Sequence, residues 1–219
     1  MRRLYRIFWL PFYRIWALRF IRSERRFRYG GLGLRIPPDV FHPGVFMSTP
    51  VFLSFLQKVD FQGKKVLDIG TGSGILALFA ASRGGHVTAI DIHIKAVDTA
   101  RRNAQLNGLS VKILESDLFG QLPQQSFDIV LINPPYYRRS PRDAGEHAFF
   151  AGENLEYFER LFAGLPAYCS AGSKVWMILS EDCDLEAIHA LAKAQGFRIS
   201  IAYEKKKWGE RFWVLEVGN

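Results

Sequence analysis

The segment Val66-Leu67-Asp68-Ile69-Gly70-Thr71-Gly72-Ser73-Gly74 constrains the fold more than any other: an apolar run ends in an acid and three glycines, and helical spacing resumes over Gly74 to Ser82. A strand that turns this tightly into a helix is a unit of an open α/β sheet. The glycines permit the sharp turn and let a ligand approach the backbone. Their spacing is G-x-G-x-G, one residue tighter at the end than the G-x-G-x-x-G of pyrophosphate-binding folds. On its own the run also fits a purely structural turn or a nucleotide enzyme.

The strand-helix pattern then repeats. Thr49 to Val59 has helical spacing ahead of a strand over Lys65 to Ile69. Strand His86 to Ile90, helix Lys95 to Asn107, strand Val111 to Glu115 and strand Ile129 to Ile132 follow. The C-terminal third reads as helix Glu153 to Tyr168, strand Lys174 to Leu179, helix Leu185 to Gln195, and strands Arg198 to Tyr203 and Arg211 to Val217. Such alternation predicts an α/β fold with a mostly parallel sheet and helices on both faces. The polar connection Glu204 to Glu210 reads as a hairpin, which makes the last strand antiparallel to the rest.

A chain of 219 residues, 48% apolar, suffices for one such domain. The expected division is a domain over residues 30–219 preceded by a basic, aromatic arm over 1–29, with turn clusters at Gly30-Gly31, Pro37-Pro38 and Pro43-Gly44 between them. The formal charge of +8 belongs to the arm, which carries nine arginines and the single acid Glu24, while the 20 basic and 20 acidic residues beyond it cancel. Arginines interrupt every apolar stretch of the arm and no small-residue cleavage site follows, so the arm is not expected to be a cleaved signal peptide. A spanning helix over Leu4 to Ile21 is excluded by Arg6, Arg14, Arg19 and Pro11. Cys169 and Cys183, without CxxC or Cys/His spacing, point to free thiols in a reducing compartment, and the five scattered histidines to no metal site.

Three strand ends after the glycine turn carry further chemistry. Asp91 stands 23 residues after Asp68, where an open α/β sheet sets an acid against a ribose; its bland alternative is a cap on the next helix. Asp117 closes the following strand, where it can bond the exocyclic amine of an adenine while Leu118 packs on the ring, or simply be solvated. The fourth strand runs into Asn133-Pro134-Pro135-Tyr136. The prolines restrict the backbone and hold Asn133 extended. The Asn133 side-chain oxygen and the Pro134 carbonyl then make two acceptors for one NH2 group, and Tyr136 offers a flat face. Such a clamp steers a nitrogen whose lone pair is delocalised.

In this order, Asp68 to Gly74, Asp91, Asp117 and the Asn133 to Tyr136 turn resemble class I S-adenosylmethionine-dependent methyltransferases. The chain is most similar to the small methyltransferase-domain group, which includes release-factor glutamine methyltransferases and RNA base N-methyltransferases. The resemblance covers about Gly33 to the C-terminus. It implies a Rossmann-like seven-stranded sheet with an antiparallel last strand and S-adenosyl-L-methionine as cofactor. It places Asp68, Gly70, Thr71, Gly72 and Gly74 toward the methionine moiety, Asp91 with Ile92 at the ribose, and Asp117 with Leu118 at the adenine. Asn133, Pro134 and Tyr136 become the catalytic set, Asn133 also bordering the cofactor. The stretch Val40 to Thr49 resembles the segment that covers the cofactor in these families, with Phe46 and Thr49 as contributors or Phe46 as packing. Phe150-Ala151-Gly152-Glu153 resembles the glycine-containing turn of the glutamine-modifying families but lacks their double glycine.

The expected activity is transfer of a methyl group to a planar amino nitrogen of a macromolecule, with an RNA base favoured over a protein glutamine. Two features carry that preference: the basic arm, and Arg138, Arg139 and Arg142 just after the Asn133 turn. The arm itself has three readings: RNA binding through phosphates and stacked bases, contact with an anionic membrane surface, or packing onto the domain. The expected location is cytoplasmic, with the inner membrane surface as a site of peripheral contact. Lys205-Lys206-Lys207-Trp208 reads either as a polyanion contact or as a solvated hairpin. The competing classes are a module that binds the cofactor without turnover, which intact Asn133 and Tyr136 oppose, and a nicotinamide oxidoreductase, which the glycine spacing opposes.

Overall fold

The computed structural model describes residues 23–139 and 150–218. Strands β1 (Arg25–Tyr29) and β2 (Leu32–Ile36) pair antiparallel across Gly30-Gly31. The last residues of the arm stretch are therefore a strand attached to the domain, and the Gly-Gly pair between two alternating segments is the hairpin signal for it. Leu32, Leu34 and Ile36 are buried, and Phe27 and Tyr29 pack on the same apolar layer, while Arg26 and Arg28 face out.

The main sheet has the order β5-β4-β3-β6-β7-β9-β8. Its strands are β3 (Lys65–Ile69), β4 (His86–Asp91), β5 (Val111–Glu115), β6 (Phe127–Ile132), β7 (Cys169–Ser180), β8 (Arg198–Lys207) and β9 (Glu210–Gly218). β3 to β7 run parallel where they pair, and β9 lies antiparallel between β7 and β8. The helices are α1 (Ser48–Leu56), α2 (Ile75–Ser82), α3 (Ile94–Leu106), α4 (Glu156–Gly164) and α5 (Leu185–Ala194), with a 3-10 turn over Leu165–Tyr168. One apolar layer joins α1, α2, α3 and the β1–β2 hairpin to the sheet; a second joins α4, the 3-10 turn and α5 to the opposite face. Buried on both sides, β3 keeps Val66 to Ile69 all out of solvent, as a central parallel strand does.

Several boundaries differ from the sequence reading, three of them informative. The stretch Glu204 to Glu210 is mostly strand, and only Trp208 and Gly209 turn the hairpin, at φ 52° and 83°. The helix expected from Glu153 starts at Glu156, because Leu155 adopts a left-handed φ of 63°, and its last turn tightens to 3-10 at Pro166. β7 reaches back to Cys169, where the Ser173 hydroxyl donates to the Phe127 carbonyl at 2.6 Å and ties the strand's polar start to β6.

Two asparagines dock the hairpin on α3. Asn103 accepts from the Arg35 amide at 2.9 Å and donates to the Arg35 carbonyl at 3.1 Å; Asn107 does the same to Gly33 at 2.9 and 2.8 Å. Four helical residues rise about 6 Å and two strand residues span about 6.6 Å, so the side-chain amides meet alternate residues of β2 as another strand would. Asn103 also donates to the Ser73 carbonyl at 2.9 Å, which links the hairpin to the glycine turn.

Candidate active site

The strand order reverses between β3 and β6, and ligands of open α/β sheets gather at the carboxyl ends of the strands at such a point. The pairing of Ile69 with Ile132 sets Gly70 and Asn133 side by side. A cleft of about 320 Å³ opens there, within the range of about 300 to 1,000 Å³ common for small-molecule sites.

Gly70, Thr71, Gly72 and Ser73 form its floor, with Asp91 and Ile92 from the end of β4 and Asp117 and Leu118 after β5. Asp91 accepts from the Gly72 amide at 2.8 Å through one oxygen and from the His93 amide at 2.9 Å through the other. It thus braces the loop and starts the α3 turn while still facing the cleft. Its carboxyl is raised by burial, against those two hydrogen bonds. Each of its oxygens keeps a lone pair for a further donor. Leu118 is held at a left-handed φ of 49° in the wall, and exposed Asp117 is ion-paired to Arg160 at 2.8 Å.

Asp68 and Gly74 stand behind this wall. Asp68 is fully buried and accepts from the Thr71 hydroxyl at 2.7 Å and the Ala77 amide at 3.2 Å, which fixes the glycine turn and the first turn of α2. Its other oxygen has no hydrogen-bond partner, and burial pushes the carboxyl up to about 7. A Cβ at Gly74 would come within 3.1 Å of the Ala100 side chain, so this glycine serves the close approach of α2 to α3.

On the opposite wall, Asn133 donates to the Thr49 hydroxyl at 3.3 Å, and the Tyr136 hydroxyl donates to the Asn133 side-chain oxygen at 3.5 Å. Burial lifts the Tyr136 phenol well above its usual range, with Cys183 and Glu210 nearby adding to the effect. Pro134 and Pro135 line the cleft beside them, and Phe46, stacked on Phe41 at 4.5 Å, closes its rim with Thr49. The chain leaving Tyr136 is fastened. Arg138 bonds Asp184 at 2.6 Å and the Glu153 carbonyl at 3.2 Å, Arg139 lies 3.8 Å over the Phe150 ring, and Ala151 donates to the Tyr137 carbonyl at 2.9 Å. Arg138 and Arg139 therefore have structural partners; Arg142 lies outside the described residues.

Glu156, Tyr157 and Arg160 of α4 also line the cleft, and the sequence reading missed them. Their only signal is a set of polar residues at i, i+1 and i+4, on a helix that also carries Glu159. The Tyr157 phenol is raised by burial and by Asp91 and Asp68 nearby. Among the described lining residues, Asp39, Asp91, Asp117 and Glu156 outnumber Arg160, with the unpartnered oxygen of Asp68 just beneath. That balance suits a ligand with cationic groups and donor hydroxyls, as the sulfonium, ammonium and ribose of S-adenosylmethionine supply. Among the described residues, no His/Cys/Asp/Glu group could hold a metal ion, and no helix is long and apolar enough to cross a membrane.

A seven-stranded sheet with one antiparallel strand beside β7, opening at its switch point into an acid-lined cleft, is the arrangement of a class I S-adenosylmethionine-dependent methyltransferase. A family model described as methyltransferase small domain matches residues 34–198, and the chain belongs to that family. It is 31% identical over 192 residues to a putative protein N5-glutamine methyltransferase of Methanocaldococcus jannaschii, covering 84% of this chain and 94% of that one. It is 33% identical over 156 residues to a ribosomal RNA small subunit methyltransferase C of Chromohalobacter salexigens, covering 70% of this chain and 43% of that one. It thus spans less than half of that ribosomal RNA relative. Among solved structures, a T. thermophilus 16S rRNA N2 methyltransferase, RsmC, in complex with AdoMet and guanosine superposes with a TM-score of 0.68 at 21% identity, covering 90% of this chain and 50% of that one. The E. cuniculi Mtq2–Trm112 complex, responsible for methylation of the eRF1 termination factor, gives 0.64 at 21% identity, covering 83% and 99%. Both share the fold.

Proposed function

We propose that this methyltransferase modifies a planar amino nitrogen of an RNA base, with Asn133, Pro134 and Tyr136 as the acceptor clamp and the acid-lined wall as the cofactor site. The cofactor supplies a methyl group on a sulfonium, already a good leaving group, so the protein's task is to place the nitrogen in line with it. The Asn133 side-chain oxygen and the Pro134 carbonyl accept the two amino hydrogens and turn the nitrogen lone pair toward the methyl group. Tyr136, with its phenol held neutral by burial, donates to Asn133 and offers its ring for stacking. As a neutral phenol it steers rather than acting as a base; the thioether leaves as the N–CH3 bond forms, and the proton that the methylated nitrogen then loses passes to solvent.

The observation that favours RNA is where the arm joins the domain. Arg25 pairs with Ile36, three residues before Asp39 on the cleft rim, so β1, with the outward-facing Arg26 and Arg28, joins the domain close to the cleft. Cationic side chains on that strand would draw phosphates toward the clamp. This reading carries a cytoplasmic location, with contact between residues 1–29 and the inner membrane surface as the arm's competing use. A protein glutamine is the second reading, favoured by the match along 94% of the putative glutamine methyltransferase. Transfer of radiolabelled methyl groups from S-adenosylmethionine into a cell extract separates the two. Label released by ribonuclease is the expected result, and label released only by protease replaces RNA with glutamine.

A further inference from the structure

The β8–β9 hairpin ends at the same edge of the sheet as the cleft and projects past it. Ile132, the last residue of β6, is level with Met177, which pairs with Leu215 of β9. From Leu215 the hairpin continues five residues to the Lys207–Glu210 pair, or roughly 17 Å at about 3.3 Å per residue. The Glu181 amide donates to the Arg211 carbonyl at 2.9 Å, one residue from the tip pair, and Glu210 is close enough to influence the Tyr136 phenol. The tip thus stands beyond the end of β6, on the Tyr136 side of the cleft.

The tip has an unusual composition for a two-residue turn. Both turn residues have positive φ, which favours glycine, asparagine or aspartate, yet the first is Trp208, at 52° and 63% exposed. A bulky residue in this region is strained. The other non-glycine residues at positive φ among the described residues all serve the cleft: Asp39 and Leu118 line it, and Leu155 starts the helix that carries Glu156 and Tyr157 into it. Strain of this kind collects at functional positions. Lys206 and Lys207 precede the tryptophan, neither with an ion-pair partner among the described residues, while Glu204 and Glu210 temper the local charge.

We propose that this tip is an RNA-contacting element, in which Trp208 stacks on an unpaired base next to the target nucleotide and Lys206 and Lys207 meet the flanking phosphates. The inference rests on the RNA reading above and adds to it the class of RNA recognised, a single-stranded or looped segment, since a base within a duplex has no free face for Trp208.

The test uses Trp208→Gly, because glycine takes the turn's backbone without strain and so separates binding from folding. Fluorescence anisotropy with a labelled single-stranded oligonucleotide RNA should show the variant bound about 5- to 150-fold more weakly than the wild type, with Trp208→Phe close to the wild type. The glycine variant should melt at the same temperature as the wild type or higher. A glycine variant that binds as well as the wild type overturns the stacking role and leaves the RNA reading standing. A glycine variant that melts well below the wild type makes Trp208 a packing residue and also overturns it. A wild type with no affinity for RNA, single- or double-stranded, removes both.

Discussion

The proposed cofactor wall of the cleft comes from three successive strand ends, and its acids bond the turn beside them: Asp68, through one oxygen, to Thr71 and Ala77, and Asp91 to Gly72 and His93. The acceptor wall instead collects Thr49 from α1, Asn133 and Tyr136 after β6, the Phe150–Gly152 turn and Tyr157 of α4, and it is held by Arg138 reaching Asp184 across the fold. The first wall is a local strand-turn-helix device. The second depends on segments far apart in sequence, so it can change its acceptor without disturbing the first.

Breaking the acceptor wall should have the largest effect. Asn133→Ala is expected to lower turnover about 100-fold or more by losing nitrogen alignment, with cofactor affinity from calorimetry nearly unchanged. A parallel fall in both quantities would mean that the two walls are not separable. Next comes the frame of the cofactor wall: Asn103→Ala leaves the Arg35 amide and two carbonyls without partners and should cost about 3 kcal/mol in urea denaturation. A stability equal to the wild type would show that the hairpin docks without α3.

Asp91→Ala should weaken cofactor binding about 10-fold or more, and turnover at saturating cofactor should fall much less. Equal losses would assign Asp91 to the acceptor side as well. A pH-dependent effect comes from Asp68. Because burial raises its carboxyl from 3.8 to about 7, the folded state holds a proton that the unfolded chain has already released over that interval. Stability therefore declines as pH rises from about 4 to about 7 and levels off above. Asp68→Asn should flatten that slope in urea midpoints taken across the interval, and an unchanged slope would place its origin elsewhere. The smallest expected change is Arg160→Ala. It breaks the exposed pair with Asp117 and should alter stability by less than about 1 kcal/mol, so a larger loss would show α4 to be fastened to the cofactor wall.

Legibility followed the same division. The strands at Lys65–Ile69 and Val111–Glu115 stand where their apolar runs end, and Asp91, Asp117 and Asn133 fall at the strand ends the sequence assigned them. Asp68 was readable as an acid at a turn but not as one turned inward, since a carboxylate at a strand end can point either way. Tyr157 and Arg160 carried no comparable signal, because a polar residue on a helix face is ordinarily solvated.

What the sequence determined by itself was the succession of strands and helices, the glycine turn, and the acids and asparagine that close successive strands. These follow from periods of 2 and 3.6 residues and from turn chemistry, all expressed within about ten neighbouring residues. Tertiary structure decided the placement of β9 between β7 and β8, the docking of the arm's last residues as β1, the α4 face in the cleft and the position of the Trp208 turn beyond the end of β6. These rest on contacts such as Asn103 to Arg35 and Asn133 to Thr49, 68 and 84 residues apart. No local period encodes such pairs; they form because the buried amides and carbonyls of β2, α3 and the cleft must find partners once the apolar layers close over them.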